Sequence, residues 1–266
     1  MKITKIEIIE NKKPIPLPYA WRPAWNEPDT PDIKTMGFSF YKVHTDEGIT
    51  GIGPCPISGG ISHLAQSTLI GQDPFYIQRF CEINMKGREV VLGNISSGGI
   101  EIALWDIVGK AVNKPVYKLF GAYRDKVMAY AATSQLKTAE ECAKIASEFK
   151  NKGIKAIKLR LHRPNPEDDL DVVRAVKDVV KNDMEILVDA NQNNISINYN
   201  YWDIRTAKKV AKELQDMGVY YLEEPLPRSN LKGLAELANA LDMYIAGGEH
   251  CGSVYEFRDA LFAGAY

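Results

Sequence analysis

Three carboxylates in the second half of the chain each stand at the end of a short apolar segment. Asp189 follows ILV at 186–188, Glu223 follows VYYL, and Glu249 follows MYIAGG. Carboxylates that are brought together repel one another unless a cation neutralises them. Mg²⁺ prefers oxygen ligands and keeps coordination positions open for water or substrate. The pattern therefore indicates a metal site, whereas the simpler alternative is three separate loop acids that cap the helices after them.

Two cations precede these acids along the chain. Lys158 and Arg160 end the segment IKAIKLR, and a separation of two residues places both on the same side of a strand. The alternative for this pair is a solvated strand end. Glu224 comes directly after Glu223 and should point the other way, so we interpret it as a supporting or structural acid.

The segments that carry these residues alternate with helical segments. Apolar strands are predicted at residues 127–132, 154–160, 184–190, 219–225 and 243–249, and each is followed by a helix. This alternation predicts a parallel sheet covered by helices, with chemistry at the carboxyl ends of the strands. A closed (β/α)₈ barrel needs eight such units, and about five are present. An open doubly wound sheet is the other possibility, although no glycine-rich phosphate loop follows the first strand.

The first part of the chain has a different rhythm. Alternating residues at 3–9, 38–45 and 49–53 predict antiparallel strands, and a long proline-rich loop at 14–31 separates the first two. A helix is predicted at 99–112, where apolar residues recur on one face. This part ends near Tyr123.

Composition excludes several classes of protein. The 266 residues carry a formal net charge of −1, which provides no general attraction to nucleic acid or to an anionic membrane. No apolar run is long enough for a transmembrane helix, and the N-terminus lacks the apolar core of a signal peptide. The four cysteines show no CxxC spacing, so reduced thiols in a cytoplasmic protein are expected.

Four motifs in chain order resemble those of the enolase superfamily. They are KLR at 158–160, VDANQ at 188–192, LEEP at 222–225 and GGEH at 247–250. The segment IEIALWDIVGKAVNKPVYKLFGAY at 100–123 is similar to the end of the N-terminal domain in the mandelate racemase and muconate lactonizing enzyme branch. The resemblance implies an α+β N-terminal capping domain, residues 1–125, followed by an incomplete TIM-type (β/α) barrel, residues 126–266.

The resemblance also implies a reaction. In this family Mg²⁺ and a Lys or His base support removal of a proton beside a carboxylate. It assigns Asp189, Glu223 and Glu249 as metal ligands and Lys158 and Arg160 as catalytic residues. We expect a Mg²⁺-dependent lyase that dehydrates a sugar acid. A racemase, epimerase or cycloisomerase on the same fold is the alternative.

Four further residues are expected to bind the small carboxylate substrate. Asn191 and His250 follow the predicted ligands Asp189 and Glu249, and Tyr19 and Arg22 lie in the long N-terminal loop. In the family, a loop at this position closes over the barrel mouth and contacts the far end of the substrate. Aromatic and arginine side chains suit a hydroxylated or anionic ligand, although the aromatic residues could instead attach the loop to its domain.

Two features depart from the family pattern. Much of this branch has Lys-x-Lys at the second strand and uses the second lysine as the base, but Arg160 stands at that position and is a poor proton acceptor. The opposite base of the family lies on strands six and seven, which come after residue 266. We therefore expect that the 266 residues are an incomplete copy of a longer enzyme, and that the enzyme is a homo-oligomer. A chain that truly ends at residue 266 should be poorly soluble or should cover its open side with a second chain. The remaining alternative is a non-catalytic metal-binding fragment or pseudoenzyme without dehydratase activity.

Overall fold

The computed structural model describes residues 1–11, 13–26, 29–55, 63–90, 98–193 and 201–266. These residues form two compact units, one of residues 1–19 and 34–126 and the other of residues 20–33 and 127–266. None of the helices in these ranges is long and apolar enough to span a lipid bilayer.

The first part of the chain is an antiparallel sheet with helices. Its strands are β1 (Ile3–Glu10), β2 (Ile15–Trp21), β3 (Ile33–Met36), β4 (Ser39–Thr45) and β5 (Thr50–Pro54). Its helices are α1 (His63–Leu69), α2 (Ile77–Val90), α3 (Gly98–Ala111) and α4 (Val116–Leu119). One sheet has the order β1-β4-β5, and β2 pairs with β3 in a separate sheet. The three antiparallel strands predicted from alternation are therefore confirmed.

Helix α3 packs directly on strand β5 because glycines line the contact. The predicted apolar face of α3 is buried, including Ile100, Leu104 and Ile107. A Cβ atom on Gly53 would lie 1.8 Å from the carbonyl oxygen of Gly99, far inside van der Waals contact. The two backbones can approach this closely only where no side chain separates them.

The second unit alternates strands and helices along the chain. Its strands are β6 (Ala131–Ala132), β7 (Ala156–Arg160), β8 (Glu185–Asp189), β9 (Tyr221–Glu223) and β10 (Tyr244–Ala246). Its helices are α5 (Ala139–Asn151), α6 (Pro166–Val180), α7 (Ile204–Asp216), α8 (Leu231–Ala240) and α9 (Val254–Ala263). All neighbouring strands are parallel, in the order β10-β9-β8-β7-β6. This order follows the chain without the reversal that defines a doubly wound sheet.

Buried strands and capped helices hold this unit together. Residues 156–159 of β7 are all buried, as expected for a parallel strand that is covered on both faces. Helix α5 begins with a capping box, in which Thr138 accepts the N–H of Glu141 and the Glu141 carboxylate accepts the N–H of Thr138. The strand ends are consequently attached to a rigid framework.

All five predicted strands of this unit are longer than the observed ones, and three of them differ by four residues. The first was expected over 127–132 but pairs with β7 only at Ala131 and Ala132, and Val127 is 80% exposed. β9 ends at Glu223 because Glu224 adopts a positive φ of 48°. β10 ends at Ala246 rather than at Glu249, because Gly248 turns the chain with a φ of 103°. An apolar run shows that a strand is present, but the backbone turns decide where it stops.

We predict that Gly53→Ala lowers the free energy of unfolding by about 1–3 kcal/mol or more, because the new methyl group must push α3 away from β5. Urea unfolding followed by circular dichroism measures this change. Gly98→Ala is the matched control, since Gly98 begins the same helix and a Cβ there meets nothing within 4 Å. Equal stabilities of the two variants would contradict the backbone contact.

Candidate metal and substrate site

The carboxyl ends of three adjacent strands bring charged residues into one row. In the sheet register, Arg160 on β7 lies beside Asp189 on β8, and Asp189 lies beside Glu223 on β9. Neighbouring residues in register on parallel strands point to the same face of a sheet. Lys158, two residues before Arg160, shares that face. The convergence expected from the sequence is therefore observed for these four residues.

One ammonium group contacts two of the carboxylates. Lys158 Nζ lies 2.5 Å from Glu223 Oε2 and 3.1 Å from Asp189 Oδ2. The Lys158 and Asp189 side chains are 7% and 1% exposed, so the charges are shielded from water. Burial alone lowers the pKa of Lys158, but hydrogen bonding to Glu223 and the nearby negative charges outweigh burial and raise that pKa above its usual value. Lys158 is consequently a cation in this arrangement.

The Arg160 side chain is held at two points. Its NH1 group forms an ion pair with Asp189 Oδ2, and its Nε donates a hydrogen bond of 2.9 Å to the carbonyl oxygen of Thr133. The Thr133 hydroxyl in turn donates to the carbonyl oxygen of Lys158. Thr133 is not among the residues predicted from the sequence, although its place directly after β6, at the same edge of the sheet, is the signal that could have identified it.

The donor set at this edge suits a hard divalent cation. Asp189 and Glu223 direct oxygen atoms at a single positively charged atom, Lys158 Nζ, so both carboxylates already converge on a position that a cation can occupy. Carboxylate oxygens are the donors that Mg²⁺ takes in proteins. These two residues therefore fit the metal that the sequence predicts.

Glu249 is placed differently from the other two predicted ligands. It lies three residues beyond the end of β10, in the turn that contains Gly248, and its side chain is exposed. Within the described ranges, no three His, Cys, Asp or Glu side chains are close enough together to hold a metal ion. The assignment of Glu249 as the third ligand remains a prediction.

Glu224 lies between the row of charges and this turn. Its side chain is buried, and its Oε1 accepts hydrogen bonds from the backbone N–H groups of Gly248 and Glu249 at 3.0 and 3.1 Å. Burial raises the pKa of Glu224 to about 7, although these two hydrogen bonds act in the opposite direction. Glu223 and Glu224 have different partners, as expected for neighbours that point to opposite sides.

Asn191 offers an unused amide beside Asp189. It is fully buried, adopts a positive φ of 52°, and donates its backbone N–H to Asp189 Oδ1 at 3.0 Å. Neither polar atom of its side chain has a hydrogen-bond partner in the described part of the chain. A buried amide without partners is costly unless a ligand satisfies it, so the predicted substrate contact of Asn191 is chemically reasonable.

The remaining predicted substrate residues are dispersed. Arg22 lines a cavity of about 490 Å³ together with Asp32, Gln135 and Lys137, and its NH1 donates to the carbonyl oxygen of Thr30. Tyr19 is 71% exposed. Tyr19 belongs to strand β2, so the segment 14–31 that was predicted as a loop contains a strand, and residues 27 and 28 of that segment lie outside the described ranges.

His250 is exposed, with a φ of 65°. Gln135 and Lys137, which follow β6 at the edge where the charged row lies, are also not among the residues predicted from the sequence. The substrate roles of Tyr19, Arg22 and His250 remain predictions.

Two family models match the chain and together reach over most of it. The mandelate racemase / muconate lactonizing enzyme N-terminal domain matches residues 24–121. The enolase C-terminal domain-like model matches residues 140–266. The first match covers most of the antiparallel part of the fold, and the second covers most of the part in which strands and helices alternate.

Characterised relatives include two sugar-acid dehydratases. Arabinonate dehydratase from Saccharolobus solfataricus is 29% identical, and the match covers 83% of this chain and 61% of that protein. L-talarate/galactarate dehydratase from Salmonella typhimurium is 30% identical, with 86% of this chain and 55% of that protein covered. The chain thus spans less than two thirds of the length of either relative.

A solved structure extends the likeness to three dimensions. L-talarate dehydratase from a Polaromonas species, complexed with Mg and L-glucarate, has a TM-score of 0.83 and 27% identity, over 99% of this chain and 72% of that one. The fold is an N-terminal α+β domain followed by five βα units of an incomplete TIM-type barrel. The chain therefore belongs to the enolase superfamily, in its mandelate racemase and muconate lactonizing enzyme branch.

Proposed function

We propose that this protein is a Mg²⁺-dependent lyase that dehydrates a sugar acid. The observation that carries the proposal is the convergence of two carboxylates, the buried Asp189 and the partly buried Glu223, on one cation at the carboxyl ends of adjacent strands. The named relatives support the substrate class, since they are dehydratases of sugar acids. The Polaromonas structure supports the metal, because it contains Mg together with a sugar acid.

Asp189, Glu223 and Glu249 would hold the metal. Bound there, Mg²⁺ would supply positive charge against the negative charge that develops when a proton leaves the carbon beside a carboxylate. The strands fix the backbone of Asp189 and Glu223 before any ligand arrives, so the main rearrangement on metal binding would be that Lys158 Nζ leaves its place between the two carboxylates.

Lys158 and Arg160 would act directly on the substrate. Arg160 is held by Thr133 through Nε, so its guanidinium group keeps a fixed direction and can bind a carboxylate or hydroxyl oxygen. Arginine stays protonated at physiological pH, so only Lys158 of this pair can exchange a proton with the substrate. Lys158 lies between the two carboxylates and is therefore within reach of any group that they help to bind.

Polar groups beside the charged row would orient the hydroxyl groups of a sugar acid. The Asn191 amide carries one free donor group and one free acceptor among the described residues. The cavity lined by Arg22, Gln135 and Lys137 supplies cationic and amide groups that suit a second hydroxylated or anionic end. His250 follows Glu249 and is accessible to a ligand from the same turn.

Racemisation or epimerisation would begin with the same removal of a proton. It differs because the proton returns to the carbon without loss of water. Incubation in D₂O distinguishes the two reactions, since a racemase incorporates deuterium into recovered substrate without forming a 2-keto-3-deoxy product. Deuterium incorporation without a 2-keto-3-deoxy product would show that the protein is a racemase or epimerase and not a dehydratase.

We predict that the protein binds Mg²⁺ and that Asp189→Asn and Glu223→Gln each weaken binding by at least about tenfold, because each removes a charged oxygen ligand. Isothermal titration calorimetry measures the affinity. Glu185→Gln is the control, since Glu185 begins the same strand, β8, and is exposed at its opposite end. Unchanged affinity in both site variants would show that the ligands are wrongly assigned.

We predict turnover of at least one sugar acid to a 2-keto-3-deoxy acid in the presence of Mg²⁺. Lys158→Ala should reduce the rate by about 10²–10⁴-fold, the usual contribution of a residue that transfers a proton. Lys155→Ala, at the exposed start of the same strand segment, should retain the rate.

The assay uses a library of sugar acids and protein expressed from its complete reading frame, because the chain covers only 61% of arabinonate dehydratase. A protein that binds Mg²⁺ and converts no member of the library would contradict the proposed reaction.

A further inference from the structure

A buried carboxylate joins the end of β9 to the turn that carries Glu249. Glu224 is 1% exposed, and one of its oxygens accepts the backbone N–H groups of both Gly248 and Glu249. The two residues are separated from Glu224 by 24 and 25 positions, so the contact is tertiary. The second carboxylate oxygen, Oε2, is buried and has no hydrogen-bond partner in the described part of the chain.

The turn requires such support because no strand pairing restrains it. β10 ends at Ala246, and Gly248 and His250 both adopt positive φ values, of 103° and 65°. A side chain in this turn has no fixed direction unless the peptide groups on either side of it are held. Glu224 holds the peptide N–H of Glu249.

Two other residues hold the carbonyl group of Glu249. Asn193 Nδ2 and Arg228 NH1 each lie 3.4 Å from that oxygen, at donor positions. The backbone N–H of Arg228 donates to Asn193 Oδ1 at 3.2 Å, which connects the two donors. Hydrogen bonds therefore reach the backbone of Glu249 from both sides.

The backbone of Glu224 is itself fixed. Its N–H donates to the carbonyl oxygen of Ala246 at 2.9 Å, and its carbonyl oxygen accepts the N–H of Gln192 at 3.1 Å. Its φ of 48° turns the chain immediately after Glu223. The side chain thus starts from a rigid point between the segments that follow β8 and β10.

We propose that Glu224 is a positioning residue that holds Glu249 in place as the third metal ligand. The proposal rests on the proposed function, because it takes Glu249 as a ligand of the bound cation. Glu224 contacts neither metal nor substrate in this role. It accepts the N–H groups that orient the turn, and the metal affinity of the site depends on it through Glu249.

Three variants separate this role from a merely structural one. Glu224→Leu removes the acceptor at similar volume, whereas Glu224→Gln keeps an acceptor oxygen for the two N–H groups. Glu224→Ala replaces Glu224→Leu if circular dichroism shows that the leucine variant does not fold. Glu256→Leu is the matched control, because Glu256 also accepts the N–H of a turn residue, Gly252, without touching Glu249.

The first measurement needs no metal. Amide hydrogen exchange at Gly248 and Glu249 should accelerate in Glu224→Leu and stay close to that of the unsubstituted protein in Glu224→Gln and Glu256→Leu. Unchanged exchange in Glu224→Leu would overturn the proposal, since it would show that the carboxylate does not hold the turn.

The second measurement is Mn²⁺ affinity, followed by electron paramagnetic resonance. Glu224→Leu should bind about 10–100-fold more weakly, the range found when residues that orient metal ligands are removed. Glu224→Gln should restore most of the affinity. In a Glu249→Gln background, Glu224→Leu should cause no further loss, because the ligand through which it acts is already changed.

The outcomes distinguish this inference from the proposed function. If the unsubstituted protein binds Mn²⁺ and Glu224→Leu binds it equally well, the positioning role is wrong and the metal site stands. If the losses from Glu224→Leu and Glu249→Gln simply add, Glu224 acts independently of Glu249 and the inference is also wrong. If the unsubstituted protein binds no Mn²⁺, the proposed metal site fails and this inference fails with it.

Discussion

Charge compensation at the carboxyl ends of β7, β8 and β9 is the interaction on which the site depends. Two carboxylates that lie side by side and partly or fully out of water repel each other unless positive charge lies between them. Lys158 and Arg160 provide that charge, and both come from the strand beside β8. A buried charge left without its partner is strongly destabilising, so each of these four side chains constrains the others. The same grouping makes the edge a place where a divalent cation and an anionic substrate can both be bound.

The backbone provides the precision that the charges require. Adjacent register places Arg160, Asp189 and Glu223 side by side, and the strands that carry Arg160 and Asp189 are almost completely buried. Glu249 is the exception, since it lies in a turn whose backbone is held by hydrogen bonds from elsewhere in the chain. Rigid strands therefore orient Asp189 and Glu223, whereas a hydrogen-bonded turn orients Glu249. We expect the turn to be more sensitive to single substitutions than the strands, because fewer hydrogen bonds hold it in place.

Features that follow from hydrophobic periodicity and strand order could be predicted from the sequence. Asp189 and Glu223 were identifiable because apolar residues lead directly into them, and parallel strands bring such ends together. The contact between Gly53 and Gly99 could not be identified from the sequence, because a glycine does not reveal which other backbone segment packs against it. The end of β10 was placed wrongly because the apolar pattern continues through Gly247 into the turn. The partners of Glu224 lie 24 and 25 residues away, and no local pattern encodes a contact of that kind.

The central claim is that Asp189, Glu223 and Glu249 surround one divalent cation. Anomalous X-ray scattering from crystals soaked in Mn²⁺ tests this most directly. We expect a single strong peak at the ends of β8 and β9, with an oxygen of each of the three carboxylates at about 2.1 Å, close to the distance that Mg²⁺ takes with oxygen ligands. We also expect that Lys158 Nζ no longer bridges Asp189 and Glu223 when the ion is bound. A peak elsewhere, or crystals without any peak in which Lys158 still bridges the two acids, would contradict the account.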